Sequence, residues 1–136
     1  MEKQNLTEKV AIAAQLDATG INMSLLNKRQ KTAKKIKDCK TIQVGFNIAR
    51  NVTAQTGNRT IYVRIQTPAG QALTAGSFPY ENRQLEYSMK KVVEYTGEEM
   101  NVQTYWQVSE FLEAGQYRVS IFADGNMIGT KTFTFE

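Results

Sequence analysis

Leu112-Glu-Ala-Gly-Gln-Tyr-Arg-Val-Ser-Ile-Phe-Ala-Asp-Gly-Asn-Met-Ile-Gly-Thr-Lys-Thr-Phe-Thr-Phe-Glu136 is the stretch that decides the fold of this chain. Tyr117, Val119, Ile121 and Ala123 alternate with Arg118, Ser120 and Phe122, and beyond Asp124-Gly125 the phenylalanines Phe133 and Phe135 alternate with Thr132 and Thr134. Period two puts successive side chains on opposite faces of a strand. An Asp-Gly pair between two such runs predicts a hairpin, because a two-residue type I′ turn needs positive φ at both central positions. Tyr117, just after Gly115 and two residues before the inward Val119, also matches the position of a tyrosine corner.

The same alternation recurs upstream. Ile21, Met23 and Leu25 suggest one strand, Ile42, Val44, Phe46 and Ile48 a second, and Ile61, Val63 and Ile65 a third, ending at the Pro68-Ala-Gly70 turn. Leu73 to Tyr80 reads as a weak edge strand broken at Pro79. A further strand runs from Leu85 through Tyr87, Met89 and Val93 to Tyr95, and Thr96-Gly97-Glu98-Glu99 then reverses the chain. Met100, Val102, Thr104, Trp106 and Val108 share one face of the next strand. Residues 20–136 are therefore expected to form an antiparallel two-sheet Ig-like sandwich of seven or eight strands. Residues 1–19 read differently. Leu6, Val10, Ala13 and Leu16 recur at helical spacing, with Gly20 as the stop, so a short amphipathic helix is expected there. Its stripe suits docking on the sandwich, or self-association as the end of a coiled coil.

Composition narrows the function by exclusion. The chain has no histidine, which removes Ser-His-Asp and Cys-His catalysis, His-ligated zinc and a histidine pH switch. Its single cysteine, Cys39, excludes an internal disulfide and a four-cysteine metal site. Neither Gly-x-x-x-x-Gly-Lys-Ser/Thr nor Gly-x-Gly-x-x-Gly occurs, so the two common phosphate cradles are missing. Glu86, Glu94, Glu98, Glu110 and Asp124 show no spacing that pairs two carboxylates across a substrate. A non-enzymatic chain without cofactor or metal is the expectation. No apolar run approaches the roughly 18 residues of a membrane span, and residues 1–9 hold no export-type apolar segment. With the lone thiol, this favours the cytoplasm, where the Asn-x-Ser/Thr sites at Asn5, Asn22, Asn51 and Asn58 carry no meaning.

Charge supplies the positive leads. Lys28, Arg29, Lys31, Lys34, Lys35, Lys37 and Lys40 face Asp38 alone, a local balance of +6 in a chain of net charge +4, which leaves −2 for everything else. A mildly acidic domain with one basic segment is a candidate for weak, sequence-independent nucleic-acid binding through Lys28, Arg29, Lys31, Lys34, Lys35 and Lys37, since each lysine at a phosphate releases a counterion. No aromatic residue interleaves the run, so it holds no stacking platform of its own. A solvated loop is the competing reading. Tyr62 and Tyr105 lie on the faces opposite the apolar rows of their strands, and form a partner face if those strands are neighbours. The leading expectation is an interaction or assembly module. Its helix would self-associate through Leu6, Val10, Ala13 and Leu16, and its sandwich would offer a tyrosine face or a free strand edge to a protein partner.

The order of segments resembles a known group. A Lys-rich lead-in to Lys-Thr-Ile-Gln-Val-Gly-Phe-Asn-Ile-Ala-Arg-Asn (40–51), then Gly-Asn-Arg-Thr-Ile-Tyr-Val-Arg-Ile-Gln-Thr-Pro-Ala-Gly (57–70), Leu-Glu-Tyr-Ser (85–88) and the closing Gly-Gln-Tyr-Arg-Val-Ser-Ile-Phe-Ala-Asp-Gly (115–125) are similar to uncharacterised Bacteroidetes proteins. In those a coiled coil leads into a carboxy-terminal Ig-like β-domain. The resemblance spans about residues 20–136, implies that fold and a bacterial setting, and transfers no catalytic or binding residue. The helical part is much shorter here.

Overall fold

The alternating rows become nine strands in a computed structural model that describes residues 16–51, 56–109 and 111–136. In order these are β1 (Ala18–Leu26), β2 (Thr41–Ile48), β3 (Gly57–Gln66), β4 (Gly76–Tyr80), β5 (Arg83–Tyr87), β6 (Met89–Tyr95), β7 (Met100–Gln107), β8 (Gly115–Ala123) and β9 (Asn126–Phe135). A single 3-10 turn, Ile36–Asp38, interrupts the β1–β2 connection. One sheet has the order β1-β2-β7, the other β6-β3-β8-β9, and β4 and β5 form a separate hairpin. All strand pairs are antiparallel.

The inward rows of both sheets meet in one core. Met23, Leu25, Ile42, Val44, Phe46 and Val102 come from the first sheet, and Ile61, Val63, Ile65, Tyr95, Val119 and Ile121 from the second. Trp106 is buried with them, as its shared face with Val102 predicts. The closing hairpin turns at Asp124 and Gly125 with φ of +53° and +79°, and Arg59 reaches from β3 to pair with Asp124. The Tyr117 hydroxyl donates to the Glu113 carbonyl oxygen at 2.6 Å, four residues back along the chain.

Three expectations are corrected. The helix expected over residues 1–19 falls outside the described residues as far as residue 15, together with Leu6, Val10 and Ala13. Within them, Ala18 and Thr19 already pair with Ile48 and Asn47, and Gly20 does not stop a helix. Its φ of +59° serves the register shift between Thr19 and Asn22; positive φ at glycine suits a bulge as well as a helix terminus. Leu16 is buried in the core at 2% exposure, so it supports the β-domain and is not free for self-association.

The third correction concerns residues 73–95. The expected edge strand and the long strand after it are three strands, because Glu81 and Asn82 both take positive φ (+47° and +64°) and reverse the chain into the β4–β5 hairpin. Pro79 sits within β4, which has a neighbour on one side only and so loses nothing by lacking an N–H. Ser88 then carries the chain from hairpin to sheet. Its backbone N–H donates to Val63, its hydroxyl donates to Leu73, and its oxygen accepts from the Ile65 N–H at 2.9 Å.

An isolated two-stranded hairpin is marginal in water. This one is held on the outer face of the four-stranded sheet by rings: Phe78 stacks on Tyr62 at 4.3 Å and meets Phe122 at 5.2 Å, while Tyr80 meets Phe122 edge-on at 5.0 Å. Each such pair adds about 0.5–1.5 kcal/mol beyond area burial. That explains Phe122, which lies on the outward row of β8 and is nevertheless buried.

Candidate functional site

The two tyrosines expected to share a face are separated by the strand orders. Tyr62 is on β3 and Tyr105 on β7, in different sheets. Tyr62 is half-buried beneath Phe78 and Tyr87, with the Lys90 ammonium 5.9 Å from its ring centre, so it belongs to the hairpin's seat. Tyr105 stays open at 55% exposure. It stands among neutral amides on the outer face of β2 and β7, where the Gln43 side-chain N–H donates to Gln103 Oε1 at 2.9 Å and to the Tyr105 hydroxyl at 3.4 Å.

Tyr105 also rims a groove of about 490 Å³ between β6 and β7, lined by Ser88, Met89, Lys90, Lys91, Trp106 and Gln107 among others. Each of these strands is the last in its sheet. On the β2 side, Val108 donates from its backbone N–H to Lys40 at 2.9 Å. Antiparallel pairs alternate in which residues bond across, so Gln103, Tyr105 and Gln107 turn their backbone groups away from β2 and toward the groove. Lys91 fills part of it. Its position falls on the inward row of β6 with Met89, Val93 and Tyr95, yet its ammonium donates to the Gln103 carbonyl oxygen at 2.8 Å. An inward charge on an edge strand is one way proteins block unwanted strand pairing.

The basic segment forms the second surface. Lys28, Arg29, Lys31, Lys34, Lys35, Lys37 and Lys40 are all exposed, and none has an ion-pair partner among the described residues. The loop that carries them is nevertheless held in place. Asn27 Oδ1 accepts from the Arg29 N–H at 2.8 Å and the Lys31 N–H at 3.1 Å. Ala33 and Lys40 donate to the Leu25 and Leu26 carbonyls at 2.7 Å each. Ile36 is buried, and its N–H donates to the Glu136 carbonyl oxygen at 2.6 Å. Lys28, Arg29, Lys34, Lys37 and Lys40 line a depression of about 560 Å³ in which Asp38 is the one acid. Lys31 and Lys35 do not line it.

Cys39 lies behind this surface, buried, with its thiol directed at the Thr41 carbonyl oxygen at 3.3 Å. Burial pushes its pKa up, against smaller opposing effects from the Leu26 and Thr41 backbone and from Lys40. The thiol is a packing group. The carboxylates are dispersed: Glu98 lies 3.5 Å from Arg50, and Asp124 is tied to Arg59. Among the described residues no three acidic or cysteine side chains gather into a metal-binding cluster, and no helix is long and apolar enough to cross a membrane.

A family model described as a domain of unknown function (DUF8428) matches residues 16–136. No curated protein matches the chain. Among solved structures, the chain is similar to part of the alkylpurine DNA glycosylase AlkC of Pseudomonas fluorescens bound to DNA containing an abasic site analog, with TM-score 0.49 and 10% identity. It is also similar to part of the β-glucosidase of Kluyveromyces marxianus, with TM-score 0.47 and 17% identity. The likeness covers 94% and 86% of this chain but only 32% and 15% of those proteins. At these scores neither bears on the site.

Proposed function

This chain belongs to the DUF8428 family, and from that premise we propose that it is a non-enzymatic protein-interaction module built on an Ig-like sandwich. The strand orders β1-β2-β7 and β6-β3-β8-β9, the common core and the Tyr117–Glu113 hydrogen bond support the sandwich. The observation that carries the interaction reading is the unpaired edge of β7 beside the groove with Tyr105 on its rim. An extended segment of a partner would add as a strand along Tyr105 and Gln107, where backbone groups supply affinity and alternate side chains supply selectivity. Lys91 closes the Gln103 end and sets where the added strand stops. The Lys91 charge favours an acidic side chain on the incoming segment.

Peptide display against the full chain tests this. Peptides selected on it should lose about tenfold in affinity for Gln107→Pro, the equivalent of one or two lost hydrogen bonds. That substitution deletes a groove-facing N–H without touching the β2 ladder. Tyr105→Ala should weaken the same peptides. Equal binding by both variants would place the contact elsewhere and end the reading.

The N-terminal stripe of Leu6, Val10 and Ala13 supplies self-association in this reading, and a cytoplasmic setting keeps the single thiol reduced. Light scattering on the full chain and on a version lacking residues 1–15 separates the two parts. A dimer that becomes a monomer supports the stripe; an unchanged mass removes it. The cut stops short of Leu16 because that residue is core.

A further inference from the structure

The basic segment has no aromatic residue of its own, but the fold brings one to it. Phe111, from the β7–β8 connection, is 87% exposed, the most exposed large apolar side chain among the described residues. It lines a depression of about 210 Å³ together with Lys37 and Lys40. The same two lysines line the larger depression that also holds Lys28, Arg29 and Lys34. The two hollows thus share Lys37 and Lys40 in their walls, with further cations along one and an exposed ring lining the other.

A single exposed phenylalanine needs no explanation, and a lysine run by itself is most often solvated. Their conjunction, the ring from one connection beside a basic loop fixed at Asn27, Ile36 and Lys40, is more specific, because it combines the two parts of a single-strand platform, a cationic track and a stacking ring. We propose that this end of the domain binds single-stranded nucleic acid, with phosphates along Lys28, Arg29, Lys34, Lys37 and Lys40 and a base stacked on Phe111. The choice of ligand follows from the ring. A duplex offers phosphates but keeps its base faces stacked inside, and an acidic peptide would use the lysines and leave Phe111 idle. Beside its cations the lining holds Asn27, Thr32 and Asp38, and Asn27 Oδ1 is already taken by the Arg29 and Lys31 N–H groups, so sequence preference is weak.

Fluorescence anisotropy on the full chain provides the test, with a labelled oligothymidylate of about twelve nucleotides in about 50 mM salt. The single strand should bind more tightly than a duplex of equal length. Phe111→Ala should weaken it by about 5- to 150-fold, the range measured for loss of one stacked base, and should leave binding of inorganic polyphosphate unchanged. Phe111→Trp should restore it. Lys37→Gln with Lys40→Gln should weaken both ligands and flatten the log–log salt dependence by about 0.7 per lost contact. All these side chains are exposed, so unchanged melting temperatures certify the variants. No binding of the single strand at low salt overturns the proposal. So does wild-type affinity in Phe111→Ala, which would leave only a basic patch. Equal or tighter binding of polyglutamate also overturns it, in favour of an acidic protein partner.

Discussion

Where β1 meets β9, the two sheets touch so closely that only a glycine fits; where β6 meets β7, a groove of about 490 Å³ runs between the edges. At the first seam a Cβ placed on Gly129 would stand 2.9 Å from Ile21 Cδ1, 3.0 Å from Ala18 Cβ and 3.1 Å from the Ala18 carbonyl oxygen. At the second, the inward row of β6 carries a lysine whose charge must be kept hydrated and hydrogen-bonded. One seam is sealed by apolar contact and the other held open by a cation. The difference teaches where tolerance to change lies: substitutions should cost stability on the sealed side and little on the open one.

Gly129→Val should therefore have the largest effect, a loss of about 3 kcal/mol in urea unfolding, at the upper end of what overpacking costs. The clash includes Ala18 backbone, which cannot swing aside as a side chain can. A loss below about 0.5 kcal/mol, the size of an ordinary surface change, would mean that the seam opens at no cost and the contrast between the two sides fails.

Tyr117 gives the next largest effect and belongs to the sealed half. It is fully buried, packs against Phe135 of β9 at 5.9 Å, and its hydroxyl holds Glu113. Burial first, then the charges of Glu113 and Cys39, push its pKa up from 10.0 to about 12. The folded state therefore holds this proton more tightly than the unfolded chain does. The stabilisation is complete below about pH 10 and is lost as the pH rises to about 12. Tyr117→Phe should cost about 1–2 kcal/mol at neutral pH, the cost of leaving the Glu113 carbonyl without its donor. The gap between the two proteins should shrink between pH 10 and 12. A gap that stays constant across that range would place the phenol in contact with water.

Local pattern explains which of these features the sequence discloses. The β8–β9 hairpin is legible because Asp124-Gly125 is flanked by strict alternation, and both signals are nearest-neighbour properties. The β4–β5 hairpin is not, because its turn residues are Glu81 and Asn82 and neither is the glycine that announces positive φ. Pro79 misleads as well, since it marks an edge as readily as an end. Phe122 is legible as an outward residue but not as a buried one; its cover comes from the β4–β5 hairpin, three and four strands earlier in the chain. The basic segment is plain in the sequence as charge. Its aromatic neighbour is not, because Phe111 arrives from a different connection and only the folded chain sets it beside Lys37 and Lys40.

Lys91 gives the smallest effect on stability and the sharpest test of the open seam. Its ammonium is partly exposed and makes one hydrogen bond, so Lys91→Val should change the unfolding free energy by no more than about 0.5 kcal/mol, as for most exposed charges. Valine also suits the inward row of β6, which already holds Met89, Val93 and Tyr95. What should change is association. Without the lysine, the Gln103 carbonyl is unpaired and joins Tyr105 and Gln107 as a longer free edge, and an unprotected edge pairs with another chain. Light scattering over a concentration series should show the wild-type mass unchanged and the valine variant growing into larger species. If both behave alike, Lys91 is only a surface cation, and the β7 edge is protected by something other than its charge.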